Sequence, residues 1–213
     1  MNLRIIHKYS ALVIVAFAFL HITNHLMSLI NIQSHIVFMD IARKIYRQPI
    51  VEGLLLLCLV FQATSGLWLL IRGWRQRRGF VAWLQAISGS YLACFLLVHV
   101  GAVLYGRAIL QLDTNFYFAA AGLHVPPNHL FFAPYYFLAV LALFTHLACA
   151  AYWLLQGMSD KVRGLVLVLP MIVGALVSFF IVLSLAGQLE LVEVPSKYKA
   201  TYTGKVSTDF NLK

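Results

Sequence analysis

Eight histidines carry most of the chemical potential of this chain: His7, His21, His25, His35, His99, His124, His129 and His146. His21, His25, His99 and His146 fall inside long apolar stretches, where an imidazole must find a partner and is by default a candidate for function. A neutral imidazole in such a place has two uses: it hydrogen-bonds a neighbouring helix, or it ligates a metal through its unprotonated ring nitrogen. The three cysteines, Cys58, Cys94 and Cys149, also sit in apolar stretches. They read as small packing hydrophobes and offer no disulfide framework.

The elements that must position these groups follow from composition. The chain is 62% hydrophobic and 11% charged, which excludes a soluble globular protein and a disordered one. Five apolar runs, at about 9–30, 50–71, 84–106, 131–155 and 165–187, are long enough to cross a bilayer as helices. The predicted fold is an all-α integral membrane bundle of five transmembrane helices over residues 1–187, followed by a tail over 188–213. The first apolar run is too long for a cleaved signal and lacks a small-residue cleavage site.

Lys and Arg number 16 against 7 Asp and Glu, a formal charge of +9. In a soluble chain that excess would suggest nucleic acid; between spans it is read by position. Arg4, Lys8, Arg72, Arg75, Arg77, Arg78, Lys161 and Arg163 fall on one face, while the short loops of the other hold only Arg43, Lys44, Arg47 and Arg107. The positive-inside rule then predicts a cytoplasmic N-terminus and an external tail, in a bacterial-type cytoplasmic membrane, with no nucleic-acid partner. Trp68, Trp74, Trp83 and Trp153 read as an aromatic belt at the inner interface. In the tail, Lys197, Lys199, Lys205 and Lys213 stand beside Glu190, Glu193 and Asp209. The alternation through Lys197-Tyr198-Lys199-Ala200-Thr201-Tyr202 looks strand-like, in a partner contact or a free terminus. The segment 107–130, with Pro126-Pro127, is the one long loop that looks structured.

Counting along each helix at 1.5 Å per residue, His21 lies about 12 residues and His99 about 15 residues from the inner ends of the first and third spans. The two imidazoles therefore share a height. His146 in the fourth span and Gln62 in the second fall in another layer nearer the cytoplasm. Two imidazoles at matched depth on facing helices are what a bis-histidine haem b requires, one axial nitrogen on each side of the iron. Ser88, Gly89 and Ser90, with Gly101 near His99, leave room for a bulky macrocycle or for close helix approach.

These residues resemble a known family, the five-helix, di-haem cytochrome b anchor subunits of succinate:quinone oxidoreductases and quinol:fumarate reductases. The resemblance runs over about residues 4–156, four spans of the kind a bilayer requires. RIIHKYSALVIVAFAFLHITNH is similar to the family's opening segment with a ligand histidine at His21, followed by Asn24-His25. RQPIVEGLLLLCLVFQATSGLWL is similar to the second span, with Gly66 at the family glycine, and WLQAISGSYLACFLLVHVGAVLYGR to the third, with a ligand at His99. FTHLACAAYWLL resembles the last ligand segment, at His146. The resemblance implies haem b, electron exchange with membrane quinone, and a cytoplasmic iron–sulfur subunit among the partners of a respiratory complex.

The chain also departs from that pattern. Gln62 stands at the second-span ligand position, and a carboxamide is a poor iron ligand; Ala86 stands where the family has Arg; the tail beyond about residue 188 has no family counterpart. The family pairs its first ligand with its third and its second with its fourth, so the resemblance leaves His21 and His99 as axial ligands of one outer haem. His146 remains as a possible lone ligand of an inner haem. One haem is the expectation and two the alternative, the inner one five-coordinate with Gln62 hydrogen-bonding nearby. Glu52, at the external start of the second span, is the candidate for moving quinone protons, or an interfacial carboxylate paired with Arg47. The basic stretch from Arg72 to Arg78 would seat a redox subunit or anionic membrane lipid, or simply set topology.

Two other functions compete. One is a cofactor-free scaffold or accessory membrane subunit whose histidines only link helices. The other is a histidine-ligated membrane oxygenase of the desaturase or hydroxylase type, for which His21-x-x-x-His25 shares a helical face and His124 and His129 form a second pair. The Pro-Pro pair between those last two cannot form a helical box.

Overall fold

The computed structural model describes residues 3–203, which are helical throughout most of their length. In chain order the helices are α1 (Leu3–Met27), α2 (Ile32–Tyr46), α3 (Pro49–Arg72), α4 (Phe80–Ala108), α5 (Phe116–Ala120), α6 (His129–Leu154), α7 (Asp160–Leu185) and α8 (Ser196–Thr203). Five of them, α1, α3, α4, α6 and α7, are long and apolar enough to cross a membrane, so the protein is an all-α, five-span membrane protein. In lipid only helices and closed barrels satisfy every backbone group internally.

Local chemistry sets the helix ends. Asn31 caps α2 by accepting the Ser34 N–H at 2.7 Å, and Asn115 caps α5 by accepting the Tyr117 N–H at 3.0 Å. Pro49 opens α3, where its missing N–H costs nothing. α1 is already helical at Leu3, the first described residue, well before the expected start near residue 9, because Leu3, Ile5 and Ile6 extend the apolar turn pattern around Arg4 and Lys8.

The spans form a ring. α1 packs on α3, α3 on α4, α4 on α6, α6 on α7, and α7 returns to α1. A hydrogen bond from Ser184 Oγ to Ser28 Oγ, at 2.7 Å, ties the last contact. α1 and α4 are therefore not consecutive in the ring. By contrast α6 offers α7 a face of small residues, Ala139, Ala142, Thr145, Ala148 and Cys149, all buried. Such faces let membrane helices approach closely. On α7, Gly174 lies so near Phe144 that a Cβ there would stand 2.5 Å from the Phe144 Cβ.

Two segments differ from expectation. Residues 32–46 form α2 where only a short loop was expected; its buried face, Ile32, His35, Met39 and Ala42, repeats at the three-to-four spacing of an amphipathic helix lying on the end of the bundle. The tail is also helical where the Lys-Tyr alternation suggested a strand. Tyr198 and Tyr202 are one turn apart and share a face: Tyr198 is fully buried, and Tyr202 meets Phe132 edge-on at 5.3 Å. Val192, Val194 and Tyr198 join Ile32, Phe116, Ala120 and Leu185 in one core, so the chain through residue 203 packs back onto the α2 end of the bundle. Lys205, Asp209 and Lys213 lie outside the described residues. The 107–130 segment is structured as expected, by α5 and the turn after it.

Candidate functional site

His21 on α1 and His99 on α4 meet across the ring at the level of the α2 end, with ring centres 6.0 Å apart. The equal depth inferred from residue counting holds. An iron held between two imidazole nitrogens places the ring centres about 6 Å apart, since each metal–nitrogen bond is about 2 Å and the ring centre lies about 1 Å beyond. The donor set and its separation thus fit a bis-histidine haem. Each ring is steadied by an aromatic one turn away: Phe95 stacks on His99 at 5.0 Å and Phe17 on His21 at 5.8 Å.

Beside this pair stands a polar group that residue counting left unassigned. His25 lies 4.8 Å from His21 and 5.3 Å from His35, ring centre to ring centre, so four imidazoles run in file from α4 through α1 to α2. The Asn24 amide donates to His35 Nε2 at 3.2 Å, which puts the His35 proton on Nδ1. Asn24 Oδ1, His25 Nδ1 and His35 Nδ1 are nevertheless buried with no protein partner. Leaving such atoms unpaired costs about 1–3 kcal/mol each. Burial, followed by the nearby charges of His21 and Arg43, pushes the His35 imidazole down to about 4. It is neutral at pH 7, and its Nδ1–H is a donor.

A second polar layer lies toward the other, arginine-rich end. His146 on α6 donates Nδ1–H to the Gln85 carbonyl at 3.1 Å, with Ser88 Oγ at 3.4 Å. Ser88 and Gly89, expected to make room near a haem, lie against His146 and not against the His21–His99 pair. A Cβ at Gly89 would stand 2.7 Å from His146 Cε1. Gln62 does share this layer, but its amide donates to the His7 carbonyl at 2.9 Å. His7, which the expected start of the first span left outside the bundle, is a functional candidate that depth counting missed. Its Nδ1 pairs with Ser65 Oγ at 2.7 Å.

Glu52 pairs with Arg107, through both carboxylate oxygens, and not with Arg47, whose guanidinium donates to Thr114 Oγ1 at 3.0 Å. Position explains the choice: Glu52 opens α3 and Arg107 ends α4, adjacent helices at the same end of the bundle. His124 donates Nε2–H to the Leu185 carbonyl at 2.9 Å, a tie between the loop and α7. Among the described residues no three or more His, Cys, Asp or Glu side chains gather in a metal-holding group. At the arginine-rich end Trp74 and Trp83 meet edge to face at 4.9 Å, with the Arg77 guanidinium over both. No protein-family model, curated protein or solved structure matches this chain.

Proposed function

We propose that this protein is a haem b-binding membrane subunit that exchanges electrons with quinone, within a respiratory complex of the succinate dehydrogenase or fumarate reductase kind. The observation that carries the reading is the His21–His99 pair, two imidazoles 6.0 Å apart on helices that are not among the main packing partners of the bundle. A merely structural pair of histidines would sit between neighbouring helices and bond across their contact. His21 and His99 would hold the haem, with Phe17 and Phe95 steadying their ring planes, and the group would supply one-electron chemistry when bound.

The remaining residues handle quinone and its protons. The unpartnered His35 Nδ1–H, His25 Nδ1 and Asn24 Oδ1 support this reading, as groups that would bond the carbonyl or hydroxyl oxygens of a quinone ring. Glu52, held by Arg107 at the same end, passes protons between this cluster and the surface. In this reading the arginine-rich end faces the cytoplasm of a bacterial-type cell and docks the iron–sulfur subunit through Arg72, Arg75 and Arg78, while the α2 end is external.

The test is a quinol-driven reduction of the oxidised, purified protein. A short-chain quinol should raise the reduced b-type band within one addition. Glu52→Gln should slow that reduction several-fold without changing haem content. A b-type band reducible by dithionite but untouched by quinol would sink the quinone assignment.

A further inference from the structure

The end of α3 and the loop after it hold positive charge without a counter-charge. From Gly53 to Leu112 the chain has no Asp or Glu, yet Arg72, Arg75, Arg77 and Arg78 fall together in that stretch. The four guanidiniums are used differently. Arg78 folds back and donates from Nη1 to the Arg75 and Arg77 carbonyls, at 3.1 Å each. Arg77 lies over the rings of Trp74 and Trp83, 6.0 and 5.5 Å from their centres. These two shape the loop. Arg72 and Arg75 are exposed and form no ion pair among the described residues. Asp160, in the neighbouring loop at this end, is committed to Arg163 at 3.5 Å.

Arg72, Arg75 and Gln76 form the polar side of a cleft of about 470 Å³, closed on its other side by Leu70, Ile71 and Trp74. That volume is within the range of small-molecule sites. The cleft also continues into an apolar strip. Leu57, Val60, Thr64, Trp68 and Ile71 are all exposed and recur at three-to-four spacing, so they share one outer face of α3. Ile71 belongs to both strip and cleft. In a five-span membrane protein such a face lies against acyl chains. The complementary molecule therefore has an apolar chain along α3 and an anionic group at the interface, between two guanidiniums. Phosphate oxygens match the arginine fork. A free phosphate or a soluble acidic peptide would leave Leu70, Ile71 and the strip uncovered. A zwitterionic headgroup would bring an ammonium toward two uncompensated arginines.

We propose that this cleft holds the headgroup of an anionic phospholipid, with Arg72 and Arg75 pairing its phosphate and one acyl chain lying on the outer face of α3. Arg77 is a positioning residue, bracing Trp74 as a wall of the cleft at headgroup level. The proposal goes beyond the haem reading and holds or fails independently of it.

The test places the purified full chain in phosphatidylcholine nanodiscs containing a minor fraction of brominated phosphatidylglycerol or brominated phosphatidylcholine, and measures quenching of tryptophan fluorescence. The anionic lipid should quench saturably, at concentrations roughly 30-fold lower than the zwitterionic one, the worth of two arginines near a membrane surface. Raised salt should shrink that preference in the wild type. Arg72→Gln with Arg75→Gln should abolish most of it, Arg72→Lys with Arg75→Lys should keep part, and Lys161→Gln, outside the cleft at the same end, should leave it unchanged. Equal quenching by the two lipids in the wild type overturns the proposal without recourse to any variant. A preference that survives the glutamine pair overturns it too, as does one that Lys161→Gln lowers equally, which would mean diffuse surface charge. Displacement of the brominated lipid by inorganic phosphate or by polyglutamate assigns the cleft to a free anion or to an acidic protein, and also overturns it.

Discussion

The two sides of the ring are packed on different principles. Between α6 and α7 the residues are small and buried, and Gly174 against Phe144 leaves no space for even one added methyl. On the other side α1 buries a single residue, Asn24, along its whole length, and its His21 ring meets His99 of α4 at 6.0 Å. One side is a wall that holds the fold. The other is a frame whose polar groups, including the unpartnered nitrogens of His25 and His35, face inward without mutual satisfaction. In the hydrocarbon core such groups have no bulk water to turn to, so their satisfaction differs in kind from that of the apolar wall.

That contrast is open to direct attack, and the wall should be the more fragile in stability. Gly174→Val places carbon where Phe144 already stands and should cost about 1–3 kcal/mol through overpacking, or more where the backbone cannot shift. The measurement is thermal unfolding in detergent, with haem per folded chain unchanged. Acidification should come next. His35 is held near 4 when folded against about 6.5 when unfolded. The unfolded state therefore binds more protons between those values, and stability present above pH 6.5 is lost as the pH falls toward 4. A series of melting temperatures from pH 7.5 to 4.5 should decline, and His35→Asn should flatten the decline; an unchanged slope in that variant would remove His35 as its cause. Gly101→Ala should do least. A Cβ there meets nothing within 4 Å, so melting temperature and haem content should both stay at the wild-type values, in contrast to Gly174→Val.

Much of this organisation was legible from residue order, and where it was not the reason is physical. Length and hydropathy predict the five spans, and counting turns predicts that His21 and His99 share a height, because rise per residue hardly varies in a helix. Counting cannot give azimuth or neighbours. It placed Gln62 and His146 in one layer but could not show that Gln62 turns to the His7 carbonyl. His7 was obscured by Arg4 and Lys8, whose charges make the first turns of α1 look like a flanking segment. The fourteen-residue interval to His21 was the signal available. Glu52 illustrates the same limit: Arg47 is near in sequence, yet the ring brings Arg107 beside it. The tail failed for a different reason. Alternation of Lys and Tyr is a strand pattern only if alternate residues share an environment, and here the buried pair is Tyr198 and Tyr202, one helical turn apart.

The central claim is that His21 and His99 hold a haem between α1 and α4. It is tested most directly by the dithionite-reduced minus oxidised spectrum of the purified chain, with haem per chain measured for the wild type, His21→Ala and His99→Ala. The account predicts a b-type band in the wild type and the loss of one haem per chain in each variant, with the same spectral component missing from both. A wild type without a b-type band, or a haem ratio that neither substitution changes, would contradict it.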